Sequence, residues 1–172
     1  GAGVAGIVDL DAETIDLNAG GSIEAGSGAV TIDSAAGGVT IDDSVDGGSV
    51  AVNSAAAISL ATDADVTSDA GAITLNAVTT LTSDANSALD ATGGNVDLDS
   101  GGDMTIGANV ITDDATALAI TLTADAGVAD GAGDFSLGAA TLQTGAGGTI
   151  TVEGENVKLA TGAAIIDPNN GG

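Results

Sequence analysis

Histidine, cysteine, tryptophan, tyrosine and arginine are absent from this chain, and lysine, proline, methionine and phenylalanine occur once each, as Lys158, Pro168, Met104 and Phe135. Each gap removes a class of chemistry. Without His or Cys there is no Ser-His-Asp relay, no thiol nucleophile and no ordinary zinc site. With Lys158 as the sole cation, phosphate clamps and the basic footprint of a nucleic-acid binder are excluded as well. A long hydrophobic run is also missing: the uncharged stretch 47–62 is short, Ser-rich and alternating, so no membrane-spanning segment or secretory leader is read in these residues. An enzyme built on this inventory would have to work with carboxylates alone, and none is expected.

What is present is acid, glycine and small aliphatics. The 172 residues include 25 Asp or Glu and 28 Gly, for a formal charge of −24. Acidity with few aromatics ordinarily marks disorder, because such chains bury too little apolar surface to offset their ordering entropy. Val, Ile, Leu and Phe nevertheless total 40 of 172 residues, just above the range of roughly 20% associated with disorder. Arrangement has to decide the case. By length the chain is one domain, residues 1–172, or a piece of a longer array. Its start at Gly1 leads to the expectation of a processed or excised part of a larger precursor.

The arrangement is periodic. Apolar-polar-apolar triplets recur at Val8-Asp9-Leu10, Val30-Thr31-Ile32, Val50-Ala51-Val52, Ile73-Thr74-Leu75, Val96-Asp97-Leu98, Ile120-Thr121-Leu122 and Ile150-Thr151-Val152. A second apolar pair follows most of them, at Ile15/Leu17, Val39/Ile41, Ile58/Leu60, Met104/Ile106 and Val157/Leu159. In the fourth unit only Leu81 fits, and in the sixth Phe135/Leu137 arrives late. A weaker third group lies at Ile23, Val45, Val66, Leu89, Val110 and Ile165. Period-2 alternation marks half-buried strands, and glycine pairs such as Gly20-Gly21, Gly37-Gly38 and Gly93-Gly94 mark the turns between them. A three-strand unit repeating at about 22 residues predicts an all-β parallel β-solenoid of about seven coils with a roughly triangular section.

Stacking makes a demand on columns, because equivalent residues of successive coils lie over one another. The first and third triplet positions are uniformly aliphatic. The outward column between them, Asp9, Thr31, Ala51, Thr74, Asp97, Thr121 and Thr151, never sets two acids in adjacent coils. Carboxylates ~4.8 Å apart would repel by about 1 kcal/mol even in water. At the strand end, the column Asp11, Asp33, Asn53, Asn76, Asp99, Thr123, Glu153 contains one unrelieved acidic step, Asp11 over Asp33, and predicts an amide ladder at Asn53/Asn76.

The repeated pattern Gly-x-[Val/Ile]-[Thr/Asp]-[Leu/Ile]-[Asp/Asn], as in Gly38-Val39-Thr40-Ile41-Asp42 and Gly94-Asn95-Val96-Asp97-Leu98-Asp99, resembles the repeats of filamentous-haemagglutinin-like and autotransporter-type bacterial adhesins. Gly102-Asp103-Met104-Thr105-Ile106-Gly107 is similar to the second strand of those repeats. The resemblance implies a right-handed β-helix in a large secreted protein, serving as a surface stalk, adhesin or filament. This chain departs from secreted members in having no recognisable secretion domain or cell-binding module.

Several acidic groups are candidates for chemistry. The sixth unit is extended by a loop near 124–134, and insertions in solenoids emerge on one face and often bind something. Asp125, Asp130 and Asp134 there suit Ca²⁺, a hard ion that takes oxygen ligands. Their spacing matches neither the EF-hand loop nor the Gly-Gly-x-Gly-x-Asp repeat, so a plain surface loop competes. A cation between Asp11 and Asp33 competes with two solvated corner carboxylates. Asp42-Asp43, Asp63/Asp65/Asp69 and Asp113-Asp114 could be read as paired acids of a polysaccharide-active β-helix, but no Tyr or Trp offers a sugar platform. Phe135 is expected in the core. The outward Thr column suggests an ice- or mineral-binding face, interrupted by Asp9, Ala51 and Asp97.

A solenoid leaves unpaired strand edges at its first and last coils, and neither Gly1 to Gly6 nor the turn 167–172 reads as a cap. The expectation is a non-enzymatic, secreted or cell-surface structural or adhesive element that continues in a precursor or stacks end to end on another copy. Its partners would be itself and, secondarily, cell-surface or matrix polymers, with calcium the one cofactor considered. Nucleic acid and membrane insertion are not expected.

Overall fold

The computed structural model describes residues 6–112, 117–125 and 133–166, and among them there are 21 strands and no helix. Helix is disfavoured locally because Gly, Ser, Thr, Asn and Asp interrupt every window, whereas alternation of aliphatic with small polar residues suits a pleated, half-buried surface. The strands form three parallel seven-stranded sheets, and the chain visits sheets I, II and III in turn before climbing to the next coil. The first coil consists of Val8–Ala12, Ile15–Leu17 and Ile23–Glu24, and the seventh of Thr149–Glu153, Val157–Leu159 and Ala164–Ile166. This is a β-solenoid. Its six inter-coil steps in sheet I run Val8, Val30, Val50, Ile73, Val96, Ile120, Ile150, the expected register throughout. At ~4.8 Å per step the outermost strands of a sheet stand ~29 Å apart.

The core is a set of aliphatic columns. Ile32, Val52, Leu75, Leu98 and Leu122 stack in register and are all fully buried. Sheet II contributes Val39, Ile58, Leu81, Met104 and Phe135, so the sole aromatic ring is a core residue stacked on the sole methionine. Sheet III contributes Val45, Val66, Leu89, Val110 and Leu142. Leu142, in the strand Thr141–Gln143, supplies the third strand of the sixth coil.

Two local irregularities have physical causes. In the fourth coil Leu81 lacks an apolar partner because Ser83 occupies the inward position, where its buried hydroxyl oxygen accepts from the Gly107 and Ala108 N–H groups at 3.1 and 3.0 Å. In the extended sixth unit, Asp125 and Gly133 are the described residues on either side of 126–132, and the backbone of Gly133 lies against that of Asp125. Phe135 therefore pairs with Met104 although 31 residues separate them. Close approach at the corners explains the glycine pairs: a Cβ on Gly94 would overlap the backbone of Gly71 in the preceding coil.

Candidate functional site

The corner between sheets I and II carries a column of stacked polar side chains. A groove of about 920 Å³ runs across it over coils one to five. One wall is the strand-end column Asp11, Asp33, Asn53, Asn76 and Asp99, and the other includes Ala35, Ala55 and Val78. Parallel pairing puts each wall residue over its equivalent, so the polar groups repeat at the coil spacing. Asn76 Nδ2 donates to Asn53 Oδ1 at 2.8 Å, and Asn53 Nδ2 donates to Asp33 Oδ1 at 2.7 Å. The expected amide ladder thus exists and extends one coil further, onto Asp33.

Beneath the ladder, Ser34 and Ser54 turn inward. The Ser34 hydroxyl is shared between the Glu13 and Gly37 carbonyls at 3.0 and 2.6 Å, and the Ser54 hydroxyl between those of Gly37 and Ala57 at 3.1 and 3.0 Å. These hydroxyls supply donors to the Gly37 carbonyl and add to the backbone N–H groups that the Glu13 and Ala57 carbonyls already accept. The Ser100 hydroxyl likewise donates to the Gly102 carbonyl at 2.8 Å, and that of Ser68, at another corner, to the Gly48 and Gly71 carbonyls at 3.1 and 2.7 Å. The sequence reading missed them. The available signal was a serine ending a strand and followed within three residues by glycine or alanine, as in Asp33-Ser34-Ala35-Ala36-Gly37.

Asp11 and Asp33 are ladder neighbours, and Asp9 joins them: one oxygen from each of the three lies within 4.8 Å of the others. This is the one such trio among the described residues. Asp9 and Asp11 are exposed, Asp33 is half-buried, and Asn53 occupies one Asp33 oxygen.

The acids of the long loop are differently disposed. Asp134 accepts from Lys158 Nζ and, at 2.7 Å, from Asn156 Nδ2 of the seventh coil. Both hydrogen bonds, Lys158 first, hold its carboxyl below the ordinary aspartate value, and the same pairing raises the Lys158 ammonium. Asp125, which follows the strand Ala119–Ala124, has φ 68°. Asp130 lies outside the described residues, as do Asp113 and Asp114.

Four further acids serve turns or bear the cost of burial. Asp43 accepts from the Ser44 and Gly20 N–H groups at 2.8 and 2.6 Å, which lowers its pKa. Asp63 adopts φ 69° at a turn. Desolvation raises Asp97, with Asp99 adding repulsion, and desolvation raises Asp46, with Asp69 and Glu24 adding to it.

The outward column of sheet I has the expected register, with its Thr residues interrupted. Sheet II carries a more regular row, which the sequence reading passed over: Thr40, Ser59, Thr82, Thr105 and Ser136 stack in five consecutive coils, with Asp16 beneath and Lys158 above.

Among the described residues, the core is less covered at both ends of the stack than in its interior. Leu10 in the first coil is 37% exposed, while Val157, Leu159 and Ile165 in the seventh are 51%, 55% and 48% exposed. Comparison with family models, with curated proteins and with solved structures returned no match.

Proposed function

We propose that this chain is a non-enzymatic structural element, a β-solenoid segment that stacks end to end on further copies to build an extracellular or cell-surface filament. The observation that carries this reading is the pair of open ends. Among the described residues, each end coil presents three strand edges and aliphatic side chains that are more exposed than their equivalents in interior coils. Unpaired parallel edges are templates for another strand of the same construction. Joining opposite faces of identical units is a heterologous contact, which propagates into a fibre when the rotation does not close.

The chemistry of the surface supports the same reading. Acids are spread over the outside, and the single cation is already engaged with Asp134. A charge of −24 limits lateral clumping and favours a saline or divalent-rich medium, where carboxylates are screened. Adhesion to surface or matrix polymers would use the corner groove, whose polar wall repeats along the filament axis. Electron microscopy and light scattering across a concentration series test the proposal. Uniform-width filaments that lengthen with concentration are expected, whereas monomers alone, at every concentration and across salt and calcium, contradict it.

A second reading, a face that binds ice or mineral, is favoured by one feature, the unbroken hydroxyl row of sheet II. Thermal hysteresis that is lost in a Thr82→Leu/Thr105→Leu variant would establish it. Calcium titration followed by melting temperature tests the carboxylate sites: a rise in Tm abolished by Asp33→Asn would assign an ion to Asp9, Asp11 and Asp33.

A further inference from the structure

We propose that copies of this chain join head to tail with all three ladders in unbroken register, so that Lys158 of one copy lies over Asp16 of the next. This inference rests on the end-to-end reading above and specifies its partner face and polarity. Every step within sheet II stacks the middle strand residues in one column: Asp16, Thr40, Ser59, Thr82, Thr105, Ser136, Lys158. One further step of the same kind, from the seventh coil to the first coil of the next copy, sets Val157 on Ile15, Lys158 on Asp16 and Leu159 on Leu17. In sheet I it sets Ile150 on Val8 and Val152 on Leu10, and in sheet III Ile165 on Ile23. Val157, Leu159 and Ile165, exposed in the seventh coil, each meet an aliphatic residue of the first, whereas the exposed Ile7 meets Thr149. The sole cation meets a carboxylate.

Charge also selects the polarity. The first coil carries Asp9, Asp11, Glu13, Asp16 and Glu24 with no base, so two such ends repel each other. The seventh coil holds the cation, with its side chain 63% exposed and Asp134 on the side facing its own chain. Opposite ends are the pairing that sets Lys158 against a carboxylate and aliphatic columns on aliphatic columns. The joint contains two like-charge contacts, Glu155 on Glu13 and Glu153 on Asp11, the latter at a column position where the interior places Asn53 and Asn76 to donate to a neighbour.

Charge reversal in the full chain tests the register. Asp16→Lys and Lys158→Asp, each alone, should raise the critical concentration for filaments about three- to tenfold, and the double variant should restore it. Glu153→Gln should lower it by about threefold. Circular dichroism of each variant monitors the coil itself, because Lys158→Asp also removes the partner of Asp134. If Asp16→Lys assembles like the parent chain, or the double variant does not recover, the register is wrong while the end-to-end reading stands. If the parent chain never assembles, the end-to-end reading itself falls.

Discussion

Asn53 shows how much one side chain can decide in a stacked column. Its amide donates to Asp33 and accepts from Asn76, so it separates an acid below from a neutral amide above. Asn53→Ala should cost about 1 kcal/mol in urea unfolding by breaking both bonds. Asn53→Asp should cost more, because Asp11, Asp33 and the new carboxylate would then stack in three successive coils. Asp97 offers the opposite case. Burial and Asp99 raise its folded-state pKa above the unfolded value, so its stabilising contribution is complete below pH 3.8 and is lost as pH rises through the folded value. Asp97→Asn should therefore raise Tm at neutral pH, and the gap should close on acidification. Asp43 and Asp134 run the other way, since their lowered pKa values give stability that is present above pH 3.8 and lost as pH falls through the folded values. Relief of Asp46, Asp97 and general self-repulsion should make stability rise on mild acidification and then fall in stronger acid, as thermal melts across pH would register.

At the scale of strands and turns, cost depends on which coil an element occupies. Leu75 and Leu98 lie in the middle of a buried column, so Leu98→Ala should destabilise by about 2–5 kcal/mol. Leu159→Ala, the same truncation in the seventh coil, should cost the isolated chain far less because the side chain is 55% exposed. A reversal of that order would contradict the coil assignment. Corners obey a different constraint: Gly94→Ala should cost about 1–3 kcal/mol, because the backbone of Gly71 fills the space a Cβ needs. The strands and their register were legible in the sequence, since both follow from period-2 alternation and from the requirement that columns match. The strand Thr141–Gln143 was not, because one apolar residue, Leu142, follows an insertion that breaks the spacing. The inward serines were also hidden, since composition marks serine as a turn residue without showing that it points into the corner. At the candidate sites, the sequence revealed the Asp11/Asp33 step and the amide ladder. The engagement of Asp134 by Lys158 across 24 residues could not be read from spacing, because Asp134 stands beyond the irregular loop.

Over the whole molecule, a chain poor in reactive groups becomes a one-dimensional object. Small and β-branched residues stack where bulkier ones would jam, and each coil supplies its neighbours with the same three edges. In the proposed filament, net charge and the end coils act against each other: the first would keep copies apart laterally, the second would draw them together along the axis. Raising ionic strength should therefore lower the critical concentration for assembly until screening also permits bundling, a sequence that light scattering would follow. The most direct measurement is cryo-electron microscopy of the concentrated chain. The account predicts unbranched filaments in which a strand spacing of ~4.8 Å passes through the joints without interruption and the subunit repeats every seven strands, ~34 Å. Dispersed monomers, or dimers joined through like ends, would contradict it.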